Sequence, residues 1–412
     1  MQALQLASGM LGGEGRRHYF VAFTTPAEAR GLGGFMGNYA VLTADDGALS
    51  MSEFGRTSDL NNAGDSTRRL DPPAEWDALW GRFGLTNGPG GTTGDVPWSN
   101  VTVSPHFPST AVVITDLFAQ SGGRPVDGVF SIDPYVLQAM VGFTGPITID
   151  IDGQETTTLT DKNTAEFLLF DQYLIEDAET RTDLLETVAE QVLGALLDGA
   201  LPGPTVLADQ LVPLTDEGRL VGWMDDTDEQ ALFGRLGVSG GLPEHEGADG
   251  FQLVVNNAGA NKLDAYLERS IRYRAEFEPE TGVVIGTVDA TFTNNGPTSG
   301  LPSGVIDNYV GDPVGTNRTL VTMYTALPVT GVTLDGEVVR FEPGTESGWN
   351  TSTLYLVLPP GGSQTLSFTV AGSLPVPNPA ELADGVAPYQ LVVGTQPLVE
   401  PVEYDLEVAD AD

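Results

Sequence analysis

Glu28 and Arg30 stand two residues apart at the end of an apolar run, and Gly33-Gly34 follows at once. In an extended chain, residues two apart share a face, so this carboxylate and guanidinium would point the same way. Paired glycines would let backbone approach a ligand closely, although a salt bridge bracing a tight turn would use the same residues. A second cluster runs through Asn256, Asn257, Asn261, Lys262, Asp264 and Tyr266, with Arg269 close behind. Amides beside a lysine and an aspartate offer the matched donors and acceptors that sugar hydroxyls need; the same letters also make an Asn/Gly turn capping a helix. Arg56 and Asp59 would fall at the same sheet edge as Arg30, while Arg68-Arg69 reads as a surface pair. Asp127 and Asp133 flank an expected strand, with Asp133 placed to cap the helix that Pro134 begins.

Other chemistries lack their residues. The chain has no cysteine, which excludes disulfides, thiolate metal sites and cysteine nucleophiles. Its histidines, His18, His106 and His245, are far from the spacing of a zinc motif. There is no G-x-S-x-G elbow, Walker sequence or dinucleotide glycine pattern, and Gly31-Leu32-Gly33-Gly34 lacks the Lys-Ser/Thr of a phosphate loop. Carboxylates and arginines remain as the available tools, and no cofactor is implied.

The elements that must hold these residues divide the chain in two. His18–Thr25 reads as a buried strand, and Gly37–Thr43 with Ala48–Phe54 as a hairpin turning at Asp45-Asp46-Gly47. Pro72–Phe83 is an expected short helix, Thr86–Ser104 a Gly/Pro-rich loop, and Phe107–Gln120 a helix with Ser109 as its cap. Val126–Asp133 and Ile147–Ile151 read as strands on either side of a helix over Pro134–Val141. Ala165–Leu201 is the most helical stretch, with a start capped at Thr164. This alternation indicates an α/β or α+β layered domain over residues 1–269. Beyond Ser270 the chain becomes short alternating strands at the spacing of a β-sandwich, assigned to residues 270–374, and residues 375–412 form a Pro-rich tail able to add a strand.

With 412 residues, two or three domains are expected. Eighteen basic residues, only two of them lysines, stand against 57 acidic ones, a net charge of −39. A field of that sign repels nucleic acid and anionic membrane surfaces and favours a neutral substrate. The opening Gln2-Ala3-Leu4-Gln5-Leu6 reads as a helix already under way, so a membrane anchor or signal is expected upstream.

Three ordered blocks carry a family resemblance: AEARGLGGFMGNYA, VDGVFSIDPYVLQAMVGFTGPI and VVNNAGANKLDAYLERSIRY. They resemble the recurrent blocks of the actinobacterial domain-of-unknown-function family 4012, over about Gly12 to Gly372. Thr24-Thr25-Pro26 stands where that family often carries an asparagine. The resemblance implies an outward-facing protein anchored to the membrane. The N-terminal half is also distantly similar in layout to the LytR–CpsA–Psr phosphotransferases, with SEFGRTSD and VDGVFSID at comparable places.

Three functions follow as expectations. The first is an extracellular or cell-surface enzyme that cleaves or transglycosylates an envelope polysaccharide, arabinan being the obvious neutral target. Its two carboxylates would lie ~5–5.5 Å apart for retention or ~6.5–9.5 Å for inversion. Glu28 would be one and Asp264, Asp127 or Asp59 the other, with Arg30 lowering the pKa of its neighbour. Arg30, Gly33, Gly34, Arg56, Asn256, Asn257, Asn261, Lys262 and Tyr266 would bind substrate. The second is a LytR–CpsA–Psr-like transfer from a lipid pyrophosphate, which would need Mg²⁺ and use Arg30 and Arg56. The third is a non-catalytic glycan-binding surface protein.

Overall fold

The computed structural model describes residues 2–64, 68–83, 98–150, 156–175, 178–198, 202–376 and 388–410. It is a mixed α/β structure with several sheets, none of which closes into a barrel among the described residues. Two compact units divide the chain, one of Met1–Pro26 with Arg30–Gly241, the other of Ala27–Ala29 with Leu242–Asp412.

In chain order the first unit opens with helix α1 (Gln2–Met10), strand β1 (Arg17–Arg30, its residues 27–29 counted with the second unit), β2 (Gly33–Asp45) and β3 (Ala48–Arg56). Helices α2 (Thr57–Asn62), α3 (Ala74–Trp80) and α4 (Phe107–Gln120) follow, then β4 (Gly128–Ile132), α5 (Pro134–Thr144), β5 (Ile147–Ile149) and β6 (Thr157–Leu159). The unit ends with α6 (Thr164–Leu169), α7 (Ala178–Asp198), α8 (Pro204–Asp216), β7 (Val221–Met224) and α9 (Thr227–Arg235). Its main sheet runs β3-β2-β1-β4-β7, with β1 parallel to β4 and both outer pairs antiparallel. Val21, Phe23, Val136, Leu137, Val141, Val188 and Val192 share one core, which joins the sheet to α5 and α7.

Several sequence expectations shift here. The strand expected over His18–Thr25 continues to Arg30, because Ala27–Arg30 are themselves buried. The long helix expected over Ala165–Leu201 is broken at Phe170, whose φ of −134° is not helical, and Asn163 rather than Thr164 precedes its first part. The cap of α4 is His106, whose Nδ1 accepts the Ser109 N–H at 3.3 Å. Asp133 caps α5 as expected, accepting from the N–H groups of Tyr135 and Val136 at 2.9 and 3.2 Å. Most of the expected loop over Thr86–Ser104 lies outside the described residues.

The second unit holds β8 (Asp249–Asn257), β9 (Leu267–Phe277), β10 (Val283–Asn294), a single helical turn α10 (Ser303–Ile306), β11 (Asn317–Thr325), β12 (Val329–Leu334) and β13 (Glu337–Val338). It continues through β14 (Glu342–Glu346), β15 (Trp349–Leu358), β16 (Ser363–Ser373), β17 (Leu391–Gly394) and β18 (Val402–Asp410). One sheet runs β13-β12-β16-β10-β9-β18, the other β14-β15-β11-β8-β17. Alternation along β9 sends Leu267, Ile271, Tyr273, Ala275 and Phe277 into a core shared with Phe251, Val255, Val321 and Met323 of the other sheet. The boundary therefore falls at Gly241/Leu242 rather than after residue 269, because β8 and β9 are committed to these sheets by pairing with β11 and β10. The tail contributes two strands, β17 parallel to β8 and β18 parallel to β9.

Candidate functional site

The second unit gathers one of the two sequence clusters around Glu28. After β8 the chain turns sharply at Ala260, a non-glycine residue with φ of +54°. Asn257 makes that turn possible: its Oδ1 accepts the N–H groups of Gly259 and Ala260 at 3.0 and 2.7 Å. Its Nδ2 donates to Asn261 Oδ1 at 3.1 Å and to Asp264 Oδ2 at 2.7 Å. Asn317, at the start of β11, donates its Nδ2 to Asp264 Oδ1 at 2.8 Å, and the Ala29 N–H donates to Asp264 Oδ2, also at 2.8 Å. Asp264 is 1% exposed. Burial pushes its pKa up, and the charge of Glu28 adds to that, against the three hydrogen bonds that favour the ionised form.

The carboxylate of Glu28 accepts a hydrogen bond from Lys262 Nζ, one of the chain's two lysines. Glu28 is thus fixed from two directions, by Lys262 at its side chain and by Asp264 through the backbone of the next residue. Its side chain is 8% exposed and that of Lys262 20%, whereas Asp264 has no face to solvent. In this arrangement Asp264 holds the backbone beside Glu28 and is itself closed to solvent. Arg269 occupies an inward position of β9, where alternation calls for an apolar side chain. Its Nη2 donates to the Glu400 carbonyl at 2.7 Å, and burial lowers its pKa to about 10, which leaves it cationic at neutral pH. Sequence reasoning missed Asn317, which no local pattern marks; the signal for Arg269 was an arginine in register with the core residues Leu267 and Ile271.

Asn256 and Tyr266 belong to the same stretch: the Asn256 carbonyl accepts the Thr319 hydroxyl at 3.1 Å, and the Tyr266 carbonyl accepts the Asn295 N–H at 3.0 Å. The remaining sequence candidates lie in the first unit. Asp59 accepts the Arg56 N–H at 3.0 Å and caps α2. Asp127 accepts Arg17 Nη1 at 3.1 Å and the His18 N–H at 2.7 Å, while Arg17 Nη2 grips Glu229 at 2.5 and 2.6 Å. Both aspartates are thereby committed to local structure, a physical reason to set them aside as reacting groups. Arg30 lies over the Phe35 ring at 5.7 Å. Gly33 adopts φ of +113°, and a Cβ on Gly34 would fall 2.3 Å from the Thr25 carbonyl. These glycines are required by the chain's own backbone, so the close approach read from sequence is to Thr25 rather than to a ligand. Among the described residues, no group of three or more His, Asp or Glu side chains is arranged to hold a metal ion.

The family model described as "Protein of unknown function (DUF4012)" matches residues 14–173. This part of the chain matches the DUF4012 family. The match takes in the first two sequence blocks and ends before the third, so Glu28 lies inside the DUF4012 segment and Lys262 and Asp264 outside it. No curated protein matches the sequence. Among solved structures, gbs0355 of Streptococcus agalactiae is similar at 13% identity over 56% of this chain and 77% of its own, with a TM-score of 0.32. Lin1025 of Listeria innocua gives 15% identity over 57% and 84%, with a TM-score of 0.25. The Legionella pneumophila protein lpg2210 gives 8% over 30% of this chain, which spans 43% of that protein, with a TM-score of 0.20. At these scores the likeness assigns no fold.

Proposed function

We propose that this chain is a cell-surface or extracellular enzyme that cleaves or transglycosylates a neutral envelope polysaccharide, arabinan first among them, with Glu28 as the carboxylate at the sugar. The observation that carries the reading is the double fixing of Glu28, by Lys262 at its carboxylate and by Asp264 through the Ala29 N–H. A carboxylate with an ammonium as its charge partner suits one of the two carboxyl roles of glycoside chemistry, that of nucleophile or base, and a preorganised one suits it better. Asp264 is a positioning residue in this scheme. The neighbouring amides provide the paired donors and acceptors that hydroxyls match, and the charge of −39 disfavours an anionic polymer. The reading takes the second unit as a β-sandwich carrying the site, and the first as LytR–CpsA–Psr-like in layout.

Incubation with mycobacterial arabinan, followed by mass spectrometry of the soluble products, tests the proposal. Linear or cyclic arabino-oligosaccharides are expected, undiminished by EDTA. If none forms, or if turnover of a pyrophosphate-linked lipid that EDTA abolishes is found instead, the proposal fails.

A further inference from the structure

A second place in the molecule has the composition of a sugar site, and it lies wholly within the first unit. Helix α5 buries Val136, Leu137 and Val141, yet a second stripe on it, Tyr135, Gln138, Ala139, Gly142 and Phe143, lines a groove of about 500 Å³. Helix α8 supplies the opposite wall from Val206, Asp209, Gln210, Pro213 and Leu214, and Asp161 completes the lining. Both stripes follow the same i, i+3, i+4, i+7, i+8 spacing, so each is one continuous helix face. Two such faces ordinarily interlock. Here Ala139 and Gly142 leave the middle of the α5 face without bulk, so the space between the helices stays open.

The shape follows from the same spacing. Tyr135 and Phe143 stand eight residues apart, roughly 12 Å along the helix axis, with the small residues between them. The Tyr135 ring is fixed by Arg219, whose guanidinium lies 4.0 Å from the ring centroid while Nη1 bonds Asp133 at 2.7 Å. Gln138 is oriented too: its Oε1 accepts the Ala165 N–H at 3.0 Å, which leaves Nε2 as the group for a ligand. Asp161, Asp209 and Gln210 are exposed. Among the described residues, no lysine or arginine lines the groove.

Two aromatic rings at the ends of a trough, carboxylates and amides along it and no cation fit a chain with apolar C–H faces and many hydroxyls. We propose that the α5–α8 groove binds a neutral oligosaccharide longer than a single sugar, apart from any chemistry at Glu28. It rests on the function proposed above only for the choice of arabinan as probe.

Isothermal titration of the full chain with arabinan-derived oligosaccharides tests this, with malto-oligosaccharides as a second neutral probe and chitosan oligomers as a cationic one. Binding of a neutral probe is expected, weakened at least tenfold by Ala139→Trp, which fills the trough, and by the exposed double variant Asp209→Ala/Gln210→Ala, each melting like the parent. Retained binding in both groove variants, absence of binding by every neutral probe, or binding of the cationic probe alone would overturn the proposal. Groove binding without any cleavage would sink the proposed enzyme activity and leave the groove standing, whereas cleavage with no neutral binding lost in the groove variants would do the reverse.

Discussion

At the scale of single residues, Asp264 and Glu28 divide the labour that the sequence left undivided. The block around Lys262 reads as an amide-rich turn with a lysine–aspartate pair, and that much is local chemistry visible in the letters. What no spacing reveals is that Lys262 meets a carboxylate 234 positions earlier, or that Asp264 accepts the neighbouring N–H of Ala29. Removing the Asp264 carboxylate takes away an acceptor used by three buried donor groups, the Ala29 N–H and the side-chain amides of Asn257 and Asn317, at ~1–3 kcal/mol for each bond lost. Asp264→Ala is therefore expected to lower the stability of the second unit by about 3 kcal/mol or more in urea unfolding; a loss below ~1 kcal/mol would show that the hub holds nothing.

At the scale of elements, legibility tracks the range of the interactions. Helix α4 was readable to the residue because its apolar period is local, and β10 was readable among the strands expected beyond Ser270 because alternation is local too, whereas β9 was not read as a strand and the expected domain boundary cut through it. The break at Phe170, the parallel docking of β17 and β18, and the transfer of Ala27–Ala29 to the second unit were not readable, since each depends on partners distant in sequence. The cap of α4 is instructive. Histidine is an uncommon cap, so Ser109 looked the better candidate, yet Ser109 is the donor and His106 the acceptor. His106 can accept only while Nδ1 is unprotonated, and burial lowers its pKa below the ordinary 6.5. A base with a depressed folded value contributes stability that is complete above the unfolded value and is lost as pH falls through the folded one. Thermal stability should thus decline as pH drops below about 6.5, by roughly 1 kcal/mol from this cap. His106→Asn keeps an acceptor there and should flatten that part of the profile; an unchanged profile in melts across pH would contradict the assignment.

At the scale of the whole molecule, charge is the dominant property: 57 acidic against 18 basic residues. Such self-repulsion destabilises a compact state and is screened by salt, the Debye length falling from ~30 Å at 0.01 M to ~3 Å at 1 M. The melting temperature should rise by several degrees over that range of sodium chloride; a flat or falling dependence would mean that ion pairs such as Arg17–Glu229 outweigh the net repulsion. The same field favours a neutral polymer at Glu28, and this is the central claim. Its most direct test is the rate of oligosaccharide release from arabinan by the parent chain and by Glu28→Gln, measured on preparations with matching melting curves. Release by the parent with a loss of at least a hundredfold in the variant is the expected result. Equal rates, or none from the parent, would contradict it.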